Sequence, residues 1–140
     1  MLFRSNQFLR EHLTETEINT EKIVGHVHLS VGSIPAAEEF YLKMLGFEKT
    51  MNWGGQALFV SAGGYHHHMA MNTWRSKGAG RRQLALGLGK VEIHLPEEGF
   101  LGETKERLDF YRLDSRSDGG RLFVEDPWGN TISLSSLPSR

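Results

Sequence analysis

The sequence predicts an α+β domain made of two copies of one βαβββ unit. Two motifs recur at a spacing of 64 residues. The pattern Gly-x-Val-x-aliphatic begins at Gly25 and Gly89, and the tripeptide Leu-Phe-Val begins at Leu58 and Leu122. A pair of glycines precedes each copy of the tripeptide. Two matches in the same order at one spacing indicate an internal duplication. The chain of 140 residues has the length of one domain, so both copies must share it.

The first copy contains a strand, a helix and three further strands. Apolar and polar side chains alternate between residues 23 and 31, which is typical of a half-buried strand. Ser33 is a suitable N-cap for the helix, with Pro35 early in the first turn. Apolar residues follow at helical spacing until Gly46, which provides a stop. Glycine-rich turns then separate three predicted strands at residues 47–53, 56–61 and 65–72.

The second copy repeats this order after a linker at residues 73–83. Its predicted strand, helix and three strands lie at residues 88–95, 97–109, 110–115, 121–125 and 131–136. The predicted domain therefore spans residues 23–136, with module one at about 23–74 and module two at about 84–136. Residues 1–22 are polar and rich in Thr and Glu, and we interpret them as an N-terminal arm outside this domain.

The composition excludes several classes of function. The chain has no cysteine, which excludes disulfide frameworks, thiolate metal sites, iron–sulfur clusters and cysteine nucleophiles. The 16 Lys and Arg against 17 Asp and Glu give a net charge of −1, which argues against a nucleic-acid partner. The sequence contains neither a signal-peptide core nor the ~18 consecutive apolar residues of a membrane span, so we expect a cytoplasmic protein without a membrane partner. Seven histidines, three of them consecutive, are the unusual feature, and any metal must be held by histidine and carboxylate.

The histidines fall on two predicted strands. His26 and His28 form a His-x-His pair on one strand face, about 6.7 Å apart along the strand. In the predicted strand at 65–72, His66 and His68 share one face and His67 points to the other. Either arrangement is compatible with metal binding or with partly buried, hydrogen-bonded imidazoles.

Four strings of residues match a known superfamily. They are Val24–Val31, the helix end Phe40–Phe47, the segment Leu58–Trp74 and the closing turn Asp126–Asn130. These strings resemble the vicinal oxygen chelate superfamily, which includes glyoxalase I, extradiol ring-cleaving dioxygenases and bleomycin-resistance proteins. The run Ser-Ala-Gly-Gly-Tyr-His-His-His, followed by Asn-Thr-Trp, resembles the catechol-2,3-dioxygenase-like branch in particular. The resemblance implies two βαβββ modules that form a cupped, mostly antiparallel sheet around a divalent metal. That metal would chelate neighbouring oxygens of a substrate as a Lewis acid.

The resemblance also implies which positions hold metal ligands. In module one these positions correspond to His26 and His68. In module two, Lys90 and Ser133 stand where a histidine and a glutamate are expected. A protonated amine and a neutral hydroxyl are poor ligands for a divalent ion, so half of the implied site is changed.

Three other residues bear on how the changed site is used. Glu92 and His94 lie on the same face of their predicted strand as Lys90, so either one can complete a relocated site with the two histidines of module one. Lys90 and Ser133 can instead contact a ligand directly, since a partly desolvated amine attracts an anion. Trp53 lies on a segment that forms the implied cleft, where it can stack on a ring of the ligand.

Two functions follow from these residues. The first is a divalent-metal-dependent dioxygenase or lyase that acts on a small catechol-like or vicinal-oxygen substrate, with Fe, Mn, Ni or Zn held by His26 and His68. The alternative is a metal-free protein of the bleomycin-resistance kind, which binds or sequesters a small molecule in a degenerate site. The resemblance implies a homodimer in both cases, and a homodimer with a purely structural role is a third interpretation.

Overall fold

The computed structural model describes residues 25–136 of the chain. Module one consists of β1 (Val27–Ser30), helix α1 (Ile34–Glu38) with a π-helical continuation (Glu39–Met44), β2 (Glu48–Trp53), β3 (Ala57–Ser61) and β4 (Met69–Asn72). Module two consists of β5 (Val91–Leu95), helix α2 (Glu98–Phe110), β6 (Ser115–Asp118), β7 (Arg121–Glu125) and β8 (Thr131–Ser136). The predicted α+β fold with two βαβββ modules is confirmed. The predicted arm at residues 1–22 lies outside the described residues.

The eight strands form two four-stranded sheets, one in each module. Their strand orders are β1-β4-β3-β2 and β5-β8-β7-β6. In each sheet the first and last strands of the module pair in parallel, and the other neighbours pair antiparallel. Because β1 and β5 occupy the same edge position in their sheets, the 64-residue spacing in the sequence corresponds to a structural duplication.

The strand predicted at 88–95 begins at Val91, and two other predicted strands differ more from the structure. The strand predicted at 65–72 begins only at Met69, and residues 65–68 form a loop. The strand predicted at 110–115 is wrong, because α2 continues to Phe110 and a turn follows it. In this turn Arg112 adopts a positive φ of 56°, and the backbone N–H of Leu113 donates to the carbonyl of Leu108 at 3.0 Å. This arrangement is a helix C-cap, so β6 starts at Ser115.

Side chains alternate along every strand, so each sheet has one face toward the helices and one face away from them. In module one, Leu58, Val60 and Met69 belong to the large core that the two modules share. The intervening residues Phe59 and Ala70 point to the other side, where they form a small separate cluster with Ala57. We call this second side the outer face of module one.

A buried carboxylate joins the two modules. Asp126 in the closing turn of module two is 2% exposed. It accepts hydrogen bonds from the hydroxyl of Tyr41 (2.8 Å), the side-chain amide of Asn130 (2.7 Å) and the backbone amides of Trp128 (3.0 Å) and Asn130 (2.8 Å). Tyr41 belongs to the π-helical segment of module one. Its burial, together with the charge of Asp126, raises the pKa of its hydroxyl, which therefore stays a proton donor.

The linker packs against both modules. In module one, the backbone amide of Gly78 donates to the carbonyl of Gly32 at 2.8 Å. In module two, the indole N–H of Trp128 donates to the carbonyl of Ala79 at 3.0 Å, and the amide of Arg82 donates to the carbonyl of Trp128 at 3.0 Å. Position 32 requires glycine, since a Cβ there would lie 2.0 Å from the carbonyl oxygen of Ala79. The linker therefore helps to fix one module against the other.

No helix within residues 25–136 is long and apolar enough to cross a lipid bilayer.

We predict that Tyr41→Phe lowers the free energy of unfolding by about 1.5–3 kcal/mol, because it removes a buried hydrogen bond to a charged group. Urea denaturation followed by circular dichroism measures this change. Tyr111→Phe is the matched control, since Tyr111 is exposed, and its expected effect is within about 0.5 kcal/mol. Equal stability of the two variants would contradict the conclusion that the hydrogen bond between Tyr41 and Asp126 stabilises the contact between the modules.

Candidate metal centre and ligand cavity

Three histidines of module one converge on its outer face. The ligand nitrogens of His26, His28 and His67 all lie within 4.8 Å of one another. The ring centroid of His26 is 4.8 Å from that of His28 and 4.7 Å from that of His67. Among residues 25–136 this is the one group of three or more histidine or acidic side chains close enough to share a metal ion.

The topology of module one brings these side chains together. His26 and His28 lie two residues apart, so the pleat directs both to the same side. The parallel pairing of β1 with β4 places the loop before β4 beside the start of β1, and the backbone amide of Val27 donates to the carbonyl of His68 at 3.1 Å. The ring of His67 then packs 5.1 Å from that of Phe59, which forms the floor beneath the histidines.

His67 and His68 exchange the positions that strand alternation predicts for them. Because residues 65–68 are a loop, the alternation does not extend to them, and His67 rather than His68 groups with His26. The Nδ1 atom of His68 accepts a hydrogen bond from the backbone amide of Ala62 at 3.2 Å, and its ring lies 4.6 Å from that of Tyr65. Gly63 and Gly64, both with positive φ, are the sequence signal for this loop.

The histidine group is electrostatically suited to metal binding. Burial and the neighbouring histidines lower the pKa of His67 to about 4. Burial and the proximity of His26 also lower the pKa of His28. A neutral imidazole has the lone pair that a metal ligand requires. Tetrahedral coordination at 2.0–2.1 Å places ligand nitrogens roughly 3.3 Å apart, so modest side-chain rotation would close the group around an ion.

The donor set restricts the type of metal. Three imidazoles without a carboxylate suit zinc, nickel, iron or copper and are unsuited to magnesium or calcium, which require oxygen ligands. Manganese prefers oxygen ligands as well. The residues therefore fit a borderline transition metal.

Lys90 and Ser133 lie apart from the histidine group. The Nζ atom of Lys90 is 2.7 Å from a carboxylate oxygen of Glu92, and a guanidinium nitrogen of Arg121 is 3.8 Å from the same oxygen. The hydrogen bond and charge of Lys90 lower the pKa of Glu92. Ser133 is buried within β8, where it faces Glu92 on β5 and Phe123 on β7.

A cavity of about 710 Å³ lies between the modules. His26 and His68 line it from module one, and Glu92 and His94 line it from module two. The two histidines of the predicted relocated site thus share a cavity with both of its alternative third ligands, although these residues do not form a compact ligand group. The Nδ1 atom of His94 lies 3.0 Å from the hydroxyl oxygen of Ser135. Of the three histidines in the group, His26 lines this cavity, and His28 and His67 do not. The volume lies within the usual range for ligand pockets.

A second cavity, of about 940 Å³, lies between the helix of module one and strand β7. Phe40, Met44, Arg112 and Phe123 are among the residues that line it. It contains none of the histidines, so we place the candidate site at the smaller cavity.

Trp53 lies on β2, opposite Ala57 of β3 and therefore on the outer face. Its ring is 6.3 Å from that of Trp74 in a perpendicular arrangement. Trp53 therefore lies on the same face as the histidines but does not line the 710 Å³ cavity, and its contact with a ligand stays a prediction.

Comparison with known proteins agrees with this architecture. No protein-family model matches the chain. The catechol-2,3-dioxygenase of Bacillus subtilis (strain 168) is 36% identical over 115 residues, which cover 81% of this chain. The chain spans only 40% of the length of that relative.

Solved structures share the fold at low sequence identity. Lactoylglutathione lyase from Agrobacterium tumefaciens superposes with a TM-score of 0.62 at 18% identity, over 83% of this chain and 94% of that one. The chain therefore shares its fold with glyoxalase structures and is similar in sequence to a catechol-2,3-dioxygenase. A glyoxalase/bleomycin resistance protein/dioxygenase from Alicyclobacillus acidocaldarius superposes on this chain with a TM-score of 0.60 at 12% identity, over 88% and 96% of the two chains. The resemblance stated from the sequence is confirmed in that the structural neighbours are glyoxalase/bleomycin resistance/dioxygenase proteins and a similar sequence is a catechol-2,3-dioxygenase.

We predict that the imidazole of His67 titrates near pH 4, well below its ordinary value of 6.5. Heteronuclear NMR of the imidazole resonances measures the titration, and His67→Gln assigns the signal. A His67 signal that titrates near pH 6.5 would contradict a partly buried position beside three other histidines.

The same shift predicts a pH dependence of stability. Between about pH 4 and 6.5 the unfolded chain binds a proton at His67 that the folded chain does not bind. The contribution of His67 to stability is therefore complete above about pH 6.5 and decreases as the pH falls through this window. Urea midpoints measured at several pH values should show a shallower decrease for His67→Gln than for the unmodified chain.

Proposed function

We propose that this chain binds a divalent transition-metal ion through His26, His28 and His67 and uses it to hold a small molecule with two neighbouring oxygen atoms. The convergence of three imidazoles beside a ligand-sized cavity is the observation that carries this proposal. Three protein ligands leave coordination positions open, as in catalytic rather than structural metal sites. When bound, the ion would act as a Lewis acid toward the oxygen atoms of the ligand.

The side chains around the histidines have separate tasks in this proposal. Phe59 is buried beneath the group and packs against two of the imidazoles, with ring centroids 6.2 Å from His28 and 5.1 Å from His67. Apolar side chains of the cavity, among them Val27, Ile93 and Phe100, exclude water from the bound molecule.

The name of the Bacillus relative supports the class of ligand. On this basis we propose that a catechol-like or other vicinal-oxygen compound binds at the cavity of this chain. We also propose that the chain acts on this compound as a metal-dependent enzyme. Because the chain spans 40% of that relative, the activity of the whole relative is a proposal here.

Lys90 and Ser133 favour the alternative function. They stand at the two module-two positions where the superfamily resemblance implies ligands, and Lys90 is instead engaged with Glu92. In this alternative the cavity binds a small molecule without a metal, as in bleomycin-resistance proteins.

Metal titration of chelator-treated protein tests the proposal. We expect one equivalent of zinc or cobalt(II) to bind to the unmodified chain, as measured by calorimetry or by the cobalt absorption spectrum. His67→Ala removes a ligand and should weaken binding by more than about 100-fold, beyond the cost of losing an outer-shell contact. His68→Ala is the matched control and should leave the affinity nearly unchanged.

The two histidine variants also separate the possible ligand sets. If His68→Ala abolishes binding and His67→Ala does not, the ligands are His26 and His68, as the superfamily resemblance implies. If the unmodified chain binds none of zinc, cobalt, nickel or iron(II), the metal-free alternative is supported.

We also propose that the chain forms a homodimer through the segment between the modules. Leu84 and Leu86 are fully exposed (106% and 105%), and Leu88 is 54% exposed. These leucines stand at every second position of an irregular segment with bends at Leu84, Leu86 and Gly87. Exposed apolar side chains close together in the chain are typical of interaction surfaces, and a second copy of the chain is the occupant we propose.

We predict that Leu84→Ser combined with Leu86→Ser converts the dimer to a monomer, because it removes the apolar contact from both copies. Light scattering coupled to size-exclusion chromatography measures the mass. Phe110→Ser changes a residue that is 80% exposed on α2 and should leave the mass unchanged. A monomeric unmodified protein would contradict the proposal.

A further inference from the structure

We propose that the buried hydroxyl of Ser61 is a positioning group for the metal centre. It accepts the imidazole N–H of His67 and thereby holds the other ring nitrogen toward the ion. This inference rests on the proposed function, because it concerns His67 as a metal ligand. Ser61 itself belongs to β3 and is not a ligand.

The side chain of Ser61 has unused hydrogen-bonding capacity. The residue is completely buried, with 0% of its surface exposed. Its Oγ atom has no hydrogen-bond partner among residues 25–136. A buried hydroxyl without a partner destabilises a fold, and such groups are uncommon in folded proteins. This one lies where bulk water does not reach it, so a partner must come from a neighbouring side chain.

Ser61 lies on the outer face of module one, the side of the histidine group. It follows Phe59 by two residues in β3, so the pleat directs both side chains to one side. His68 continues the pairing of β4 with β3, because its backbone amide donates to the carbonyl of Val60 at 2.9 Å. The carbonyl of His68 accepts from the amide of Val27 on β1 at 3.1 Å. The backbone at His68 thus connects the end of β3 to the start of β1.

Four side chains mark the corners of the area beneath the His67 ring. His28 and Phe59 are paired with the same residue of β4, one from each side. His26 and Ser61 form the next row, one pleat repeat nearer to the loop. The His67 ring lies close to three of these corners, with centroid distances of 4.7 Å to His26, 6.2 Å to His28 and 5.1 Å to Phe59. The fourth corner beside the ring is Ser61.

Metal ligation by His67 creates the need for an acceptor at this corner. When one nitrogen of an imidazole binds a metal, the other carries a hydrogen atom and almost always donates it to an oxygen atom or water, which fixes the ring. The His67 side chain forms no hydrogen bond in the part of the chain that the structure describes. Rotation of the ring toward an ion would therefore pair one unsatisfied donor with the unsatisfied oxygen of Ser61.

This role predicts opposite effects of one substitution on folding and on metal binding. Ser61→Ala removes the unpartnered hydroxyl, so the folding equilibrium constant of the metal-free chain should rise about 5-fold or more. The same change removes the acceptor for His67 and should weaken zinc binding by roughly 10- to 100-fold. Ser61→Thr keeps the hydroxyl and should bind zinc nearly as tightly as the unmodified chain.

Urea denaturation and calorimetric zinc titration of the chelator-treated, full-length chain measure the two effects. NMR of the zinc-loaded chain adds a direct readout, since His67 should show a slowly exchanging imidazole N–H that is lost in Ser61→Ala. Ser30→Ala is the matched control. Ser30 lies on the same face of β1 as His28, and because its side chain is exposed, its removal should change neither measurement.

The outcomes separate this inference from the proposed function. If Ser61→Ala binds zinc as tightly as the unmodified chain while His67→Ala does not, the positioning role is overturned and the metal centre is retained. A less stable metal-free Ser61→Ala chain would also overturn the role, because the hydroxyl would then already have a partner in the fold. If the unmodified chain binds no zinc, the proposed function and this inference are refuted together.

Discussion

The hydrogen-bonded carboxylate of Asp126 is the constraint on which the rest of the structure depends. A buried charge is tolerated only when donors compensate it, and here four hydrogen bonds reach the two oxygen atoms. One donor, Tyr41, comes from module one, and the others come from the turn that leads into β8. This strand pairs with β5 over five residues, from Val91 to Leu95. The position of β5, and with it the wall of the cavity that contains Glu92 and His94, thus follows from one carboxylate.

The two modules have the same strand order but differ in the charged and titratable side chains near their first strands. Module one carries partly buried imidazoles whose pKa values are lowered in two cases, so it offers neutral ligands. In module two, Lys90 directly precedes the corresponding strand, and its amine is paired with the carboxylate of Glu92. The backbone topology of the two sheets is therefore the same, but the charges of their side chains differ. Module one presents a group of three imidazoles, and module two presents ion pairs of Glu92 with Lys90 and Arg121.

Much of the fold could be predicted because its signals are local or periodic. Alternation identifies β1, the Ser33 hydroxyl that accepts from the amide of Ala36 begins α1, and the repeat locates module two. The start of β4 and the turn after α2 were not predicted correctly, because both depend on backbone conformation. The first depends on the loop that follows Gly63 and Gly64, and the second on the positive φ of Arg112. The same limit applies to the site. His26 is predictable from its strand, but the direction of His67 depends on a loop that is docked onto β1.

The parallel pairing of β1 with β4 has a consequence for how a metal would act on the whole chain. Parallel neighbours require a crossover connection, and here it contains α1, β2 and β3. His26 and His67 therefore lie at the two ends of a loop of about forty residues, and an ion shared between them closes that loop. Like a disulfide bond, it would restrict the unfolded chain, and it would add binding energy available only to the folded one. In a protein without cysteine, metal coordination by three imidazoles would thus be a reversible cross-link. The stabilisation it gives would increase with the free metal concentration.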